Sequence, residues 1–128
     1  WNKEYGYAGT ADGFWEIDGV PTLVDVKTSR NTWDEHWMQL EALKRCDTML
    51  IEVEDKWVEQ PAPEYQQLGL LHMRPSDTDK HGAPMEPFIK LKIMPETEHD
   101  VMFKAFTGLL STTHALSDIK KIRKQEER

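Results

Sequence analysis

The stretch GTADGFWEIDGVPTLVDVKTS, residues 9–29, holds two segments rich in aromatic and β-branched residues on either side of Asp18-Gly19. Asp followed by Gly is a strong signal for a two-residue hairpin loop, because both central positions of a type I′ turn need a positive φ. The pattern therefore predicts two antiparallel strands, over residues 5–17 and 20–28.

The predicted turn also fixes which residues of the two strands lie opposite each other. If Ile17 pairs with Val20, then Asp12 lies directly opposite Asp25. Opposed side chains in an antiparallel pair have Cβ atoms about 5 Å apart. Two unit charges at that distance repel by roughly 3 kcal/mol at an effective dielectric constant of about 20. We therefore expect something to compensate this repulsion.

The alternation of side chains along a strand predicts two different faces for the hairpin. One face is expected to gather charge and carries Asp25 and Lys27, and the other is expected to be the core face. The predicted core face of the second strand consists of Val20, Thr22, Val24 and Val26.

A hard divalent cation between Asp12 and Asp25 would turn their repulsion into attraction, and Mg²⁺ takes oxygen ligands. Lys27 is predicted to lie opposite Thr10, whose short side chain leaves the lysine room to reach a metal. Two acids, a metal and an ammonium suit phosphodiester hydrolysis. The alternative is an acidic pair on a solvated face, with Lys27 in a surface salt bridge that contributes about 0–1 kcal/mol.

The rest of the chain reads as a mixture of helices and strands. Apolar residues at three- and four-residue steps favour one long helix over residues 34–57, and the alternative is a break near Asp47 with MLIEVE as a strand. Residues 66–73 and 87–94 are predicted strands, and residues 97–116 are a predicted helix. The sum is an α/β or α+β fold around a small mixed sheet, as one domain over residues 1–117 with a charged tail over residues 118–128.

Composition limits the classes of protein to be considered. The chain has 128 residues and a net charge of −7, which argues against a protein that coats DNA without regard to sequence but not against a nuclease. The single cysteine, Cys46, excludes an internal disulfide and a four-cysteine cluster. Without an export signal or a long apolar run, we expect a cytoplasmic protein. Because the chain begins at Trp1, we expect that it is part of a longer protein.

The segments AGTADGF, LVDVKTS and QLEAL resemble the PD-(D/E)xK nuclease superfamily, particularly the RecB-like exonucleases of phages and CRISPR-associated systems. The resemblance covers residues 7 to about 43, and less distinctly the later strands and helix. It implies a restriction-endonuclease-like core and a deoxyribonuclease that depends on Mg²⁺ or Mn²⁺, without an iron–sulfur cluster. DNA would be the substrate, recombination or repair proteins the partners, and the host cytoplasm the location if a phage encodes the chain.

The resemblance also assigns roles to individual residues. It implies that Asp12, Asp25 and the main-chain carbonyl of Val26 bind the metal, that Lys27 assists the attacking water, and that Gln39 positions the site from the following helix. Leu43 stands where the family has a tyrosine, and the helix that supplies a further acid before the first strand is missing. These departures favour an alternative, a nuclease-derived module for DNA binding or assembly that has lost catalysis.

Several other residues near the predicted site have both a functional and an ordinary interpretation. In the functional interpretation these residues contact DNA phosphates or stack on bases. In the ordinary interpretation they form turns, cap a helix, pack in the core or carry exposed surface charge. These residues are Thr28, Ser29, Arg30, Trp33, His36, Trp37, Lys44 and Arg45.

Overall fold

The fold is built around a four-stranded mixed sheet; the computed structural model describes residues 1–29, 31–32 and 34–128. In chain order the elements are β1 (Gly13–Ile17), β2 (Val20–Lys27), α1 (Asp34–Lys44), β3 (Thr48–Val53), β4 (Lys56–Pro61), β5 (Gln67–Arg74), β6 (Asp77–Thr78), β7 (Pro84–Met85), β8 (Phe88–Ile93), a 3₁₀ turn (Glu96–Glu98) and α2 (His99–Glu126). The strand order in the main sheet is β1-β2-β5-β8. The predicted mixture of helices with a small mixed sheet is therefore confirmed.

The main sheet combines two hairpin-like antiparallel pairs with one parallel pair. Strand β2 pairs antiparallel with β1 and parallel with β5, and β8 pairs antiparallel with β5. A parallel pair needs a crossover connection, which here contains α1 and the separate hairpin β3–β4. The crossover brings α1 back over the sheet beside β2 and β5.

The reversal at Asp18-Gly19 is confirmed. Asp18 has φ 50° and Gly19 has φ 78°, as a type I′ turn requires. The register runs from Ile17 opposite Val20 to Gly13 opposite Val24, as predicted. The first strand is shorter than predicted, because it begins at Gly13 rather than near residue 5, and an isolated bridge between Asn2 and Tyr7 precedes it.

Substituting the turn glycine tests how much its backbone conformation contributes to stability. Gly19→Ala is expected to lower the free energy of unfolding by about 1 kcal/mol, because a Cβ is disfavoured at positive φ, and no atom lies within 4 Å of that Cβ to add a clash. Gly108→Ala, in the open interior of α2, is expected to raise it by about 1 kcal/mol. Urea unfolding of both variants provides the measurement. Shifts of the same sign would contradict this account.

The predicted long helix over residues 34–57 is wrong, and the alternative strand is correct. Helix α1 ends at Lys44, and the amide of Cys46 bonds the carbonyl of Leu43 at 3.1 Å just beyond it. The chain then forms the hairpin β3–β4, whose turn residues Glu54 and Asp55 have φ 51° and 61°. The apolar positions that suggested one helix are therefore divided between α1 and the two strands β3 and β4.

The later elements follow the prediction more closely. Strands β5 and β8 lie within one residue of the predicted bounds, and a short hairpin, β6–β7, occupies the predicted loop. Helix α2 is longer than predicted because the charged segment over residues 118–126 continues it with exposed side chains. No helix among the described residues is both long enough and apolar enough to cross a membrane.

The core lies between α1 and one face of the main sheet, and it corrects the predicted assignment of faces. The buried apolar side chains that cluster there are Leu23, Leu40, Leu68, Leu70 and Met94. Leu23 points to the same face of β2 as Asp25 and Lys27, so the acids lie at the end of the core face rather than on a separate charged one. Thr22 and Val24 of the predicted core face are also buried.

Candidate functional site

Asp12 and Asp25 meet at the open end of the β1–β2 hairpin. Asp12 directly precedes β1, and continuing the observed register by one residue places it opposite Asp25. Their carboxyl groups lie within hydrogen-bonding reach of each other. The amide of Val26 donates to Asp12 Oδ2 at 2.9 Å, which orients the exposed carboxylate towards β2. The predicted meeting of the two acids is therefore present.

The two carboxyl groups have different proton affinities because their surroundings differ. Burial raises the pKa of Asp25, and the neighbouring Asp12 adds to this effect. The hydrogen bond from Asp25 lowers the pKa of Asp12, and the amide of Val26 and the charge of Lys27 lower it further. Two carboxyl groups held this close favour the binding of positive charge.

Lys27 lies against the acid pair. Its Nζ is 2.8 Å from Asp25 Oδ2, and the lysine and aspartate side chains are only 25% and 15% exposed. An ion pair this far out of water differs from the surface salt bridge that was the alternative prediction. The ammonium of Lys27 is therefore held against the acid pair.

The oxygen ligands of this site fit some metals better than others. Among the described residues, no three or more His, Cys, Asp or Glu side chains are grouped as a metal site. Zinc sites normally use at least three protein ligands, so the pair does not fit zinc. Mg²⁺ usually keeps several waters and binds one or two carboxylates together with substrate phosphates. Asp12 and Asp25 fit a cation of that kind.

Gln39, the residue of α1 predicted to support the site, is exposed, and no hydrogen bond within the described residues joins it to the acid pair. Leu43 packs against the core and against Gly9, where an added Cβ would lie 2.8 Å from Leu43 Cδ2. A glycine at this position lets the segment before Asp12 approach α1 closely.

His72 is a neighbour of the site that the sequence did not reveal. It pairs in register with Lys27 across the parallel β2–β5 ladder and is 4% exposed. Its Nε2 donates to the carbonyl of Ser29 at 2.6 Å, which anchors the chain just after β2. No metal-ligand spacing marks His72 in the sequence, because its position depends on a pairing between distant segments.

An apolar cleft of about 590 Å³ lies beside the acid pair, towards the turn of the hairpin. Thr10 and Ala11, which precede Asp12, line one side of it. Phe14 and Tyr65 stack with ring centroids 5.4 Å apart in its wall, and Trp57 closes it from β4. The Tyr65 hydroxyl is buried and has no hydrogen-bond partner among the described residues. The cleft therefore presents an apolar and partly aromatic surface.

The other residues considered from the sequence fall into three groups. Arg30 and Trp33 lie outside the described residues. Two other residues have ordinary structural roles. Ser29 Oγ donates to the carbonyl of Asn31 at 2.6 Å in the turn after β2, and Trp37 of α1 packs against the core. Arg45 is directed away from the acid pair, since it binds Glu41 and Asp100, on the side where α1 meets α2.

Comparison of the whole chain with known proteins finds no matching family model, no similar curated protein and no similar solved structure. These comparisons therefore add nothing to the resemblance carried by residues 7–43. What can be said of the site rests on the geometry of the hairpin, on Lys27 and on the residues in register with them.

Proposed function

We propose that this chain is a deoxyribonuclease dependent on Mg²⁺ or Mn²⁺, with a restriction-endonuclease-like core of the RecB-like exonuclease kind. The observation that carries the proposal is the convergence of two opposed carboxylates and a half-buried lysine on one face of a sheet. Hydrolysis of phosphodiester bonds uses this combination of groups. Phage or bacterial DNA recombination or repair is the setting that the resemblance implies, with proteins of those processes as partners.

In this proposal Asp12 and Asp25 hold the cation, and the carbonyl of Val26 completes the protein ligands. A bound divalent cation supplies a water of lowered pKa and neutralises phosphate charge. Lys27, whose ammonium lies beside Asp25, would orient the attacking water or stabilise charge that develops on the phosphate. The resemblance would also give Gln39 of α1 the role of positioning the site, although no hydrogen bond joins it to the acid pair within the described residues.

The aromatic cleft supports DNA as the substrate. A nucleobase is flat and has apolar faces, which matches the aromatic walls formed by Phe14 and Trp57. Stacking of a base on an aromatic side chain contributes about 1–3 kcal/mol. A strand end with one unpaired base in the cleft would place its phosphate near the acid pair.

The alternative is a nuclease-derived DNA-binding or assembly module without catalysis. Only two carboxylates converge within the described part of the chain, and Lys27 is already paired with one of them. A site of this kind binds cations weakly, and the fold alone would then present the DNA-binding surface.

Cleavage of linear DNA with Mn²⁺ distinguishes the two functions. The purified chain is compared with the double variant Asp12→Asn/Asp25→Asn, which keeps the shape of both side chains and removes their charge, and with the wild type in chelator. Metal-dependent release of nucleotides by the wild type alone supports the nuclease. Equal background release in all three reactions supports the module without catalysis.

A further inference from the structure

The face of the main sheet that points away from α1 is free of charged residues. The core leucines of the sheet point towards α1, so the residues that alternate with them along each strand point the other way. A Cβ added at Gly69 would lie 3.3 Å from Leu91 Cδ1 and 3.5 Å from Thr22 Cγ2, which places these residues on one face. We call it the open face, and its largest side chains are Trp15, Leu71, Met73, Ile89, Leu91 and Ile93. None of its positions on β1, β2, β5 and β8 holds a charged residue, although 30% of the chain is charged.

The open face is exposed to solvent and large. Ile89 is 72% exposed, and Trp15, Leu91 and Ile93 are each at least 40% exposed. Four strands about 4.8 Å apart, with five to eight residues that rise about 3.3 Å each, make the face roughly 20 Å in each direction. A sheet face that meets water normally carries polar residues, and an exposed apolar patch of roughly 400 Å² marks a site of interaction. The open face therefore requires a cover.

Helix α2 carries an apolar stripe that is exposed as well. The helix packs against α1, but every residue from 111 to 128 is exposed. The exposed stripe consists of Leu109, Leu116, Ile119 and Ile122, each more than 40% exposed. At 3.6 residues per turn these four residues lie on one side of the helix. An isolated helical segment is only marginally stable in water, so we expect this half of α2 to pack against another surface.

The two exposed surfaces match in length and in charge. From Leu109 to Ile122 the helix rises about 20 Å, which is the length of the strands of the open face. Residues 107–128 hold five Lys and Arg against three Asp and Glu, while the whole chain has a net charge of −7. The basic end of α2 is therefore attracted to the acidic remainder of another copy. Within one copy the two surfaces stay apart, because α2 packs on α1, on the opposite side of the sheet, and runs unbroken from His99 to Glu126.

We propose that a second copy of this chain covers the open face, and that each copy lays the exposed stripe of its α2 across the open face of the other. A sheet that is apolar on both faces takes helices on both, and this exchange supplies the helix layer opposite α1. Reciprocal contacts of this kind form a closed twofold dimer, which does not depend on the proposed function.

The area of the two contacts sets the expected strength of the dimer. A helix is about 10 Å across, so each contact covers about 20 by 10 Å on the helix of one copy and on the sheet of the other. The two contacts together then bury roughly 800 Å² of surface. That area lies at the low end for a specific interface, so we expect the dimer to form at micromolar concentrations.

Sedimentation velocity over the micromolar range tests the dimer with one variant of each surface. The sheet variant is Ile89→Lys/Leu91→Lys, and the helix variant is Leu116→Glu/Ile119→Glu. Each variant sets charge against an apolar surface in both contacts of its own dimer, so each is expected to raise the dissociation constant about tenfold or more. An equimolar mixture of the two variants is expected to regain dimers. In the mixed dimer one contact is wild type, and the other sets lysine against glutamate.

The matched control places two lysines on another exposed apolar surface. Val53→Lys/Val58→Lys lies on the β3–β4 hairpin and is expected to keep the wild-type dissociation constant. Circular dichroism checks that each variant folds, and Ile89→Thr/Leu91→Thr replaces a sheet variant that does not. Loss of the dimer in the helix variant alone would indicate that two α2 helices pair, and loss in the sheet variant alone would indicate that two sheets pack together. Either result overturns the inference, as would a wild type that stays monomeric, an equal loss in the control, or a mixture without recovery.

Discussion

Lys27→Ala is expected to lower the rate of Mn²⁺-dependent DNA cleavage about a hundredfold or more. The reason is that a positioned donor beside developing charge contributes roughly that factor in hydrolytic enzymes. In the structure Lys27 Nζ lies 2.8 Å from Asp25, and no other Lys or Arg forms an ion pair with Asp25 within the described residues. Single-turnover cleavage of a linear DNA, with enzyme in excess, measures the chemical step.

The same variant separates catalysis from metal binding. Removing Lys27 takes away a cation that competes for Asp25, so isothermal titration calorimetry should show Mn²⁺ binding at least as tight as in the wild type. Lys80→Ala, in the exposed loop between β6 and β7, is the control and should change neither quantity. Loss of Mn²⁺ binding together with cleavage would show that Lys27 acts on the structure of the site rather than on the reaction.

The hairpin could be predicted from the sequence because its geometry is local. Asp18-Gly19 fixes the turn, the turn fixes the register, and the register brings Asp12 to Asp25. The side-chain alternation was also correct, and Thr22 and Val24 of the predicted core face are buried, but the face predicted to gather charge is buried at Leu23 as well. In the sequence Leu23 stands only two residues before Asp25, so nothing local marks it as buried. In the structure it is buried together with Leu40 of α1. Which face a helix covers is decided by tertiary packing.

The long helix failed for a different reason. Spacing of apolar residues at three and four positions also arises in two short strands joined by a tight turn. The turn of β3–β4 has Glu54 and Asp55 at positive φ without a glycine, so the usual turn signal is missing. The β-branched residues Ile51 and Val53 were the better guide. Here strand propensity outweighed periodicity.

His72 could not be predicted as a neighbour of the site because its position depends on a pairing between distant segments. The parallel register of β2 with β5 brings His72 beside Lys27, and β8 then adds Lys90 to the same row. Crossovers of this length leave no signal of register in one sequence. Asp12, Asp25 and Lys27 were therefore visible in residues 9–29, while the residues that β5 and β8 bring beside them were not.

Glu41→Ala is expected to lower the free energy of unfolding by about 3 kcal/mol, the scale of losing one partner from a buried ion pair. The Glu41 side chain is fully buried between α1 and α2. Its carboxylate accepts from Arg45 Nε at 2.8 Å and from His99 Nδ1 at 2.5 Å, and Lys44 Nζ lies 4.0 Å away. Truncation leaves His99 without this partner and opens a cavity.

The size of the loss in unfolding free energy shows whether Glu41 stabilises the fold more than an exposed acidic residue of the same helix does. Urea unfolding followed by circular dichroism gives the free energy for each variant. Glu35→Ala, exposed in the first turn of α1, should cost about 0.5 kcal/mol or less. Glu41→Gln keeps the side-chain volume and one acceptor, so its loss of unfolding free energy should fall between those of the two alanine variants.

Because Glu41 faces α2 and the acid pair lies at the hairpin end, Mn²⁺ binding by folded Glu41→Gln should match the wild type. A Glu41→Ala loss no larger than that of Glu35→Ala would show that the ion pairs of Glu41 contribute little to holding α2 against α1.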